Sequence, residues 1–397
     1  MRRFSSFTTL ANVALLGFGL FGCHTDSNVE PASISPDCLI KASSNNGVAI
    51  AGFYIITYQP AQPLPSASNA RTAAIEAIAG QFLADYSVAD SQADVLATSE
   101  QVSFLAHLTK EESETLRQDP SVILVEPDRV MAMCGCVDIT TSTTLPWNIV
   151  QTGYGRGDLQ TNKTVWVIDT GIDLDHPDLN VDTERSRSFV TGQTSADDLN
   201  GHGTHVAGII GAKNNNAGVT GIASGARLVA LKVLDQLGEG KLSGIIQAVN
   251  YVLQNGKSGD VVNMSLGGEG VSTTLERVII QAANAGILFA IAAGNDGKDS
   301  DAYSPARVNH ANVFTVSAMN RINQFASFSN FGPGVDVCAY GVNITSTYKD
   351  GRYATLSGTS MAAPHVAGLL LIRGSNFPKH GAVMGDPDGK PDPLAGE

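Results

Sequence analysis

Basic side chains are scarce in this chain: 25 Lys and Arg stand against 38 Asp and Glu, a formal net charge of -13 over 397 residues. A surface of that sign repels a phosphate backbone and favours solubility, so nucleic acid is not an expected partner. Aromatics are also few, at 6% of the chain, while Gly, Ala and Val are abundant, as in a tightly packed α/β protein. Beyond Gly22 no run is apolar and long enough to span a membrane. Metal-ligand spacing is missing too. The chain has only a lone C-x-C, at Cys134 and Cys136, and no H-E-x-x-H.

What is present begins with a targeting segment. MRR supplies positive charge and Phe7 to Gly22 a mostly apolar stretch, too short for a span and suited to an export signal over residues 1–23. It ends in LFGC, which resembles a bacterial lipobox with Cys23 as the lipidated residue. Ordinary cleavage and free secretion is the alternative, with bulky Phe21 counting against the lipobox. Four further cysteines, Cys38, Cys134, Cys136 and Cys338, allow three pairings in an exported protein. Cys134 and Cys136 are too close to pair comfortably. A bridge from Cys38 to one of them and a free, buried Cys338 are both compatible with the spacing.

Residues 24–50, rich in Ser, Asn and Pro, read as a linker. Residues 51–131 carry a compact pattern. Phe53 to Tyr58 is a strand, and Ile75, Ile78, Ala79 and Phe82 recur at helical spacing. Ala93 to Ala97 and Val102 to Leu108 are strands, Thr109 with Glu112 has capping-box spacing, and Val122 to Val130 is a last strand. The order βαββαβ predicts a small α+β, ferredoxin-like unit. A linker over 132–145 follows. Apolar strands then alternate with helices: Val165 to Asp169, Leu228 to Leu234, Val261 to Leu266, Ile287 to Ala292 and Val313 to Ala318. Such strands predict a mostly parallel sheet buried on both faces, in an α/β domain over 146–374. Its reactive groups belong at the carboxyl ends of the strands. A polar tail, 375–397, closes the chain, and its DPDGKPD run reads as a disordered acidic segment.

Four places deliver chemistry to those strand ends. Asp169 ends VWVID, His202 opens the glycine-rich NGHGTHVAG, Asn295 follows AIAAG, and Ser360 lies in LSGTSMAAPHVAG. Singly, each has a plain reading: a cap or calcium ligand, a satisfied polar residue, a turn residue, a helix N-cap. Together they supply a nucleophile, its base, the base's orienting carboxylate and an oxyanion donor. The chain order Asp, His, Ser and the lack of a second glycine after Ser360 exclude a lipase-like G-x-S-x-G elbow.

VIDTGID, GHGTHVAG, AAGN and GTSMAAPHVAG, in that order, make residues 147–373 resemble a subtilisin-family serine protease, of the proteinase K group. KVLD with GEGKLS, NMSLGG and YSPA agree. The resemblance implies a three-layer domain, an endopeptidase acting through an acyl-enzyme, and catalytic Asp169, His202 and Ser360 with Asn295 in the oxyanion hole. It chooses His202 over His205, one helical turn away, and leaves His205 and His365 to structural roles. It implies no cofactor for catalysis, a monomer, and a membrane partner only through a lipid anchor. It also implies a peptide substrate bound as an added strand between Gly238, Gly240 and Leu242 on one side and Ser265, Leu266, Gly267 and Gly268 on the other. Ala292, Ala293 and Gly294 complete the first pocket. Its small uncharged walls suit apolar or aromatic side chains. Residues 51–131 resemble the inhibitory propeptide of these proteases, with VILVEPDRV as the marker; self-cleavage is expected between Met131 and Ser142. Asp336, with carbonyls near Val313, matches a calcium site of proteinase K-like relatives. An inactive protease fold serving as a binding lipoprotein and a processing enzyme with one partner substrate are the competing readings.

Overall fold

In the leader unit, one sheet divides its side chains between two partners. Ile55 and Leu105 face away from the unit and join the core around the Leu242–Asn255 helix, while Ile56 and Phe104 pack against the unit's own Ser68–Asp85 helix. The alternation is the period of two along a strand. The computed structural model describes residues 45–86, 88, 93–98, 101–133, 138–140, 145–155 and 161–397, with backbone alone at 68–69 and 138–140. The segment 1–38, with the export signal and Cys23, lies outside the described residues, as do Cys38, Cys134 and Cys136.

The βαββαβ order is present: Ala49–Tyr58, Ser68–Asp85, Asp94–Thr98, Val102–His107, Lys110–Leu116 and Val122–Ala132. Its strands are antiparallel, and across the sheet run Val122–Ala132, Ala49–Tyr58, Val102–His107 and Asp94–Thr98. The expected capping box forms: Thr109 Oγ1 accepts from Glu112 N at 3.1 Å, and Thr109 N donates to Glu112 Oε2 at 2.7 Å.

The large domain is built on a parallel sheet. Its central order is Val337–Tyr340, Val313–Met319, Leu288–Ala292, Val261–Met264, Thr164–Asp169 and Arg227–Lys232. All five expected strands are there; Val337–Tyr340 is an addition. Helices His202–Gly211 and Thr359–Arg373 cover one face, and Leu242–Asn255 and Thr273–Asn284 the other. The result is the three-layer architecture with both sheet faces buried.

Two expectations need correction. The tail 375–397 is folded rather than disordered. Leu394–Ala395 pairs with Cys338, and Lys379–His380 pairs with that strand in turn. Phe377, Val383, Leu394 and Ala395 are buried, so the tail covers what would be a bare sheet edge. Four spaced apolar residues among Gly, Pro and Asp carry no periodic signal, which hid the strands. The linker 132–145 likewise contains a strand, Asp138–Thr140, paired with Tyr353–Thr355.

Candidate active site

Strand polarity brings the four chemical groups to one edge. Asp169 is the last residue of its strand, His202 the first of its helix, and Ser360 the second of the Thr359–Arg373 helix. Asp169, His202 and Ser360 are 0, 1 and 3% exposed. His202 Nδ1 lies 2.7 Å from Asp169 Oδ1, which also accepts the N–H of Thr170 at 2.7 Å. The contact needs the glycine at 203: a Cβ there would stand 2.0 Å from the carbonyl oxygen of Gly171 and 3.1 Å from the Asp169 Cβ.

The other half of the arrangement is uncommitted. His202 Nε2 is buried with no hydrogen-bond partner among the described residues. Ser360 Oγ donates to the carbonyl of Ser265 at 3.1 Å, and Ser265 Oγ returns a bond to the carbonyl of Ser360 at 2.8 Å. Asn295 Oδ1 accepts Thr359 N at 2.8 Å and Thr359 Oγ1 at 3.0 Å. The oxygen end is thereby fixed, and the amide donors are the end turned from Thr359.

His205 and His365 are spent elsewhere. The first sets Nε2 against the carbonyls of Ile344 and Ala354, at 3.0 and 3.1 Å. The second sets Nε2 against Asn148 Nδ2 at 2.8 Å. Burial pushes their pKa values down to about 3 and about 4, so both are neutral at working pH.

A pocket beside Ser360 is lined by Ser265, Leu266, Gly267, Ala292 and Gly294. Ala293 is buried and turned away, its carbonyl accepting from Asn330 Nδ2 at 3.0 Å. Leu242 is also displaced from its expected place: it begins a helix and is buried in the core, because the edge strand stops at Lys241. Sequence reasoning missed Asp296 and Tyr303, which line the pocket as well and add an exposed carboxylate to walls expected to be uncharged.

The leader unit enters this cleft. Val130, Met131 and Ala132 pair antiparallel with Lys241, Gly240 and Glu239, and Ala132 also bridges to Gly267. Met133 N donates to the Gly238 carbonyl at 3.2 Å. Gly268 itself pairs with Ser304, though a Cβ on it would lie 3.0 Å from Met131 Sδ. Two carboxylates of the same leader strand cap helices of the large domain. Asp128 accepts Ser243 N at 3.0 Å and Ser243 Oγ at 2.8 Å; Glu126 accepts Thr274 N at 3.0 Å.

Residues 160–384 match the model of the Subtilase family. The chain belongs to the subtilase family. Residues 54–133 match Peptidase inhibitor I9, so this subtilase carries its own inhibitor domain. It is 42% identical over 292 residues to a "Thermostable alkaline protease" of Halalkalibacterium halodurans, covering 72% of this chain and 76% of the relative. It is 46% identical over 232 residues to "Subtilisin Savinase" of Lederbergia lenta, covering 57% of this chain and 83% of the relative. A solved structure of a cold-adapted subtilisin-like serine proteinase superposes with a TM-score of 0.53 at 35% identity, over 64% of this chain and 98% of that one. The chain is a subtilisin-type serine protease, and the inhibitor domain is the unit whose last strand occupies the cleft.

At the expected calcium position, Asp336 Oδ2 accepts Thr315 N at 2.8 Å, and burial raises the carboxyl's pKa. Val313 lies in the parallel sheet, paired with Phe289. Among the described residues no three His, Cys, Asp or Glu side chains stand close enough to share a metal ion. Cys338 is free and buried.

Proposed function

We propose that this subtilase is an exported, monomeric endopeptidase that hydrolyses peptide bonds through an acyl-enzyme on Ser360, and that it first cuts its own chain after Cys134. The observation that carries this reading is the strand Val130–Ala132, held between the Glu239–Lys241 edge and Gly267 as a peptide substrate is held.

The steps follow from the groups in place. Ser360 Oγ turns from the Ser265 carbonyl to His202 Nε2, whose lone pair is otherwise unused. His202 takes the proton as Oγ attacks the substrate carbonyl. Asp169, bonded to Nδ1, holds the ring in the tautomer that leaves Nε2 free and stabilises the imidazolium. The Asn295 amide and the N–H of Ser360, at a helix start where donors are unpaired, take the oxyanion. His202 then protonates the leaving amine, and water repeats the sequence on the ester.

Specificity rests on backbone pairing plus the pocket of small residues, which suits apolar and aromatic side chains, with Asp296 adding tolerance of a cation. The segment 1–23 is read as the export signal and Cys23 as its lipid attachment point. Intact mass of the exported, uncleaved Ser360→Ala chain, which keeps every residue ahead of the cleavage point, tests both. Calcium at Asp336 is retained as a structural ion that uses hard oxygen donors. A chelator that leaves the melting temperature unchanged rules it out. The test of the whole reading is Ser360→Ala. It should leave the inhibitor domain attached and the protein unreactive to a serine-directed phosphonate; hydrolysis at the wild-type rate by this variant ends the proposal.

A further inference from the structure

Behind the Asp169–His202 pair lies a second buried carboxylate, Asp198, only 4% exposed. It accepts five hydrogen bonds. Oδ1 takes Thr170 Oγ1 at 2.9 Å, Asn200 N at 2.9 Å and Gly201 N at 2.8 Å. Oδ2 takes Thr204 N at 2.9 Å and Thr204 Oγ1 at 2.6 Å. Four of these donors belong to the loop that enters the His202 helix and to that helix's first turn; the fifth, Thr170, follows the strand that ends in Asp169.

Thr170 joins the two carboxylates. Its N–H holds Asp169 Oδ1 at 2.7 Å, its hydroxyl donates to Asp198, and the same hydroxyl accepts the N–H of Gly203, next to His202, at 2.9 Å. Its carbonyl accepts from Lys232 Nζ at 2.5 Å, and Leu234 O takes a second bond from that ammonium at 3.0 Å. Lys232 is fully buried, with Asp198 and Asp169 among the carboxylates that act on it. One threonine thus ties the strand that ends in Asp169, the helix that begins at His202 and a buried cation.

We propose that Asp198, acting through Thr170, is a positioning residue for the reaction: it fixes the His202 helix start against Asp169 and contributes negative charge behind the imidazole. The proposal rests on the Asp169–His202–Ser360 reading. Asp198 does not touch substrate. Holding the base to a fraction of an ångström is worth orders of magnitude in rate, and the Thr170 hydroxyl has both its donor and an acceptor site committed, to Asp198 and to Gly203 N–H. The charged and titratable groups around His202 are Asp169 from its strand, Asp198 from the entry loop, Lys232 from the neighbouring strand and His205 one turn along its own helix. Asp197 and Asp235 act on Lys232, and Tyr348 borders Asp198. Burial raises the Asp198 pKa and its hydrogen bonds from Thr204, Gly201 and Asn200 oppose that rise; all five bonds are accepted, as by a carboxylate, and removing that charge favours the neutral imidazole.

Kinetics of the matured enzyme on a peptide substrate test this, with rates taken per site titrated by a phosphonate so that misfolded protein does not count. Thr170→Val removes the hydroxyl at nearly constant volume. Its kcat should fall about 100-fold, the scale of an ångström's misplacement, with KM within about twofold. Thr170→Ser, which restores the hydroxyl, should recover most of the loss. Asp198→Asn should move the acidic limb of kcat/KM, which reports His202, to lower pH by about one unit, because one less negative charge favours the neutral ring. Wild-type kcat in Thr170→Val, or a Ser variant as slow as the Val variant, overturns the role of the hydroxyl. Should Thr170→Val fail to mature, Asp198→Asn decides alone, and an unmoved limb overturns the proposal. Ser360→Ala run in parallel separates this failure from failure of the triad itself, since only the latter leaves hydrolysis in that variant.

Discussion

Ala132 stands opposite Gly267 in antiparallel register, and Ser265, two residues back along that edge, is the residue whose carbonyl holds Ser360 Oγ at 3.1 Å. Antiparallel pairing advances one strand as it retreats along the other. A substrate strand in this register places the residue two beyond the one opposite Gly267 against Ser265, beside the nucleophile. The bond expected to break first is Cys134–Gly135, inside the span anticipated from sequence. The matured protein should begin at Gly135 by intact mass and N-terminal sequencing. A start upstream of Met133 or beyond Cys136 shows that a different register is cut.

Removing the oxyanion donor should cost rate rather than binding. Asn295→Asp keeps the oxygen that holds Thr359 and puts a second oxygen where the amide was. The corresponding donor in subtilisin is worth about 100- to 1000-fold in kcat, a figure measured on that enzyme. A loss of that size or larger, with KM nearly constant, is expected from steady-state kinetics. A loss confined to KM assigns Asn295 to ground-state binding instead.

Among the described residues Asp296 is the carboxylate that lines the pocket, and it is exposed to solvent. Its pull on a cationic substrate side chain is therefore that of a screened pair, about three- to fivefold in kcat/KM. Asp296→Ser should lose that factor on substrates with Lys before the scissile bond and leave Phe substrates unchanged. The difference should fade in 1 M salt. Equal effects on both substrates indicate a change of pocket shape.

The inhibitor domain's grip can be probed at Asp128, which caps the Leu242–Asn255 helix through Ser243. Loss of such a cap costs about 1 kcal/mol, or a fall of about 2–4 °C in Tm for a domain of this size. Asp128→Ala in the uncleaved Ser360→Ala chain should show that fall. Mature enzyme, which no longer carries residue 128, should melt as wild type. An unchanged Tm in the uncleaved chain means that the cap contributes nothing net.

A rise in pH from about 4 to about 7 should weaken the tail's hold on the sheet. Asp392 is buried, bonded by Ser317 Oγ at 2.6 Å, and its pKa is raised to about 7 by burial and by the carboxylates of Asp386, Asp388 and Asp336. A raised carboxyl favours the native state most when protonated. Its contribution is full below the unfolded value near 4 and is lost as pH rises to about 7, a swing of about 2–4 kcal/mol. Asp392→Asn in the Ser360→Ala background should match its parent at pH 4 and exceed it at pH 8 in urea unfolding. A constant difference at both pH values removes the charge from the account.

Local order settled a good deal on its own. Period-two and apolar runs place the leader strands and five parallel strands, because burial of one or both faces is written into the residue types. Thr109 with Glu112 caps its helix unaided, since both partners lie within one turn. Asp169, His202, Asn295 and Ser360 are recognisable because their flanking glycines and small residues are demanded by close backbone approach, as at Gly203. Tertiary structure alone decided the rest. The Leu394–Ala395 strand exists because Val337–Tyr340 would otherwise end in a bare edge. Leu242 left the substrate edge because a helix starts there. Asp198 finds four of its donors within six residues, but it became an organiser of the site only when Thr170, 28 residues earlier, folded against it, and no spacing along a chain records which distant donor will meet a carboxylate in three dimensions.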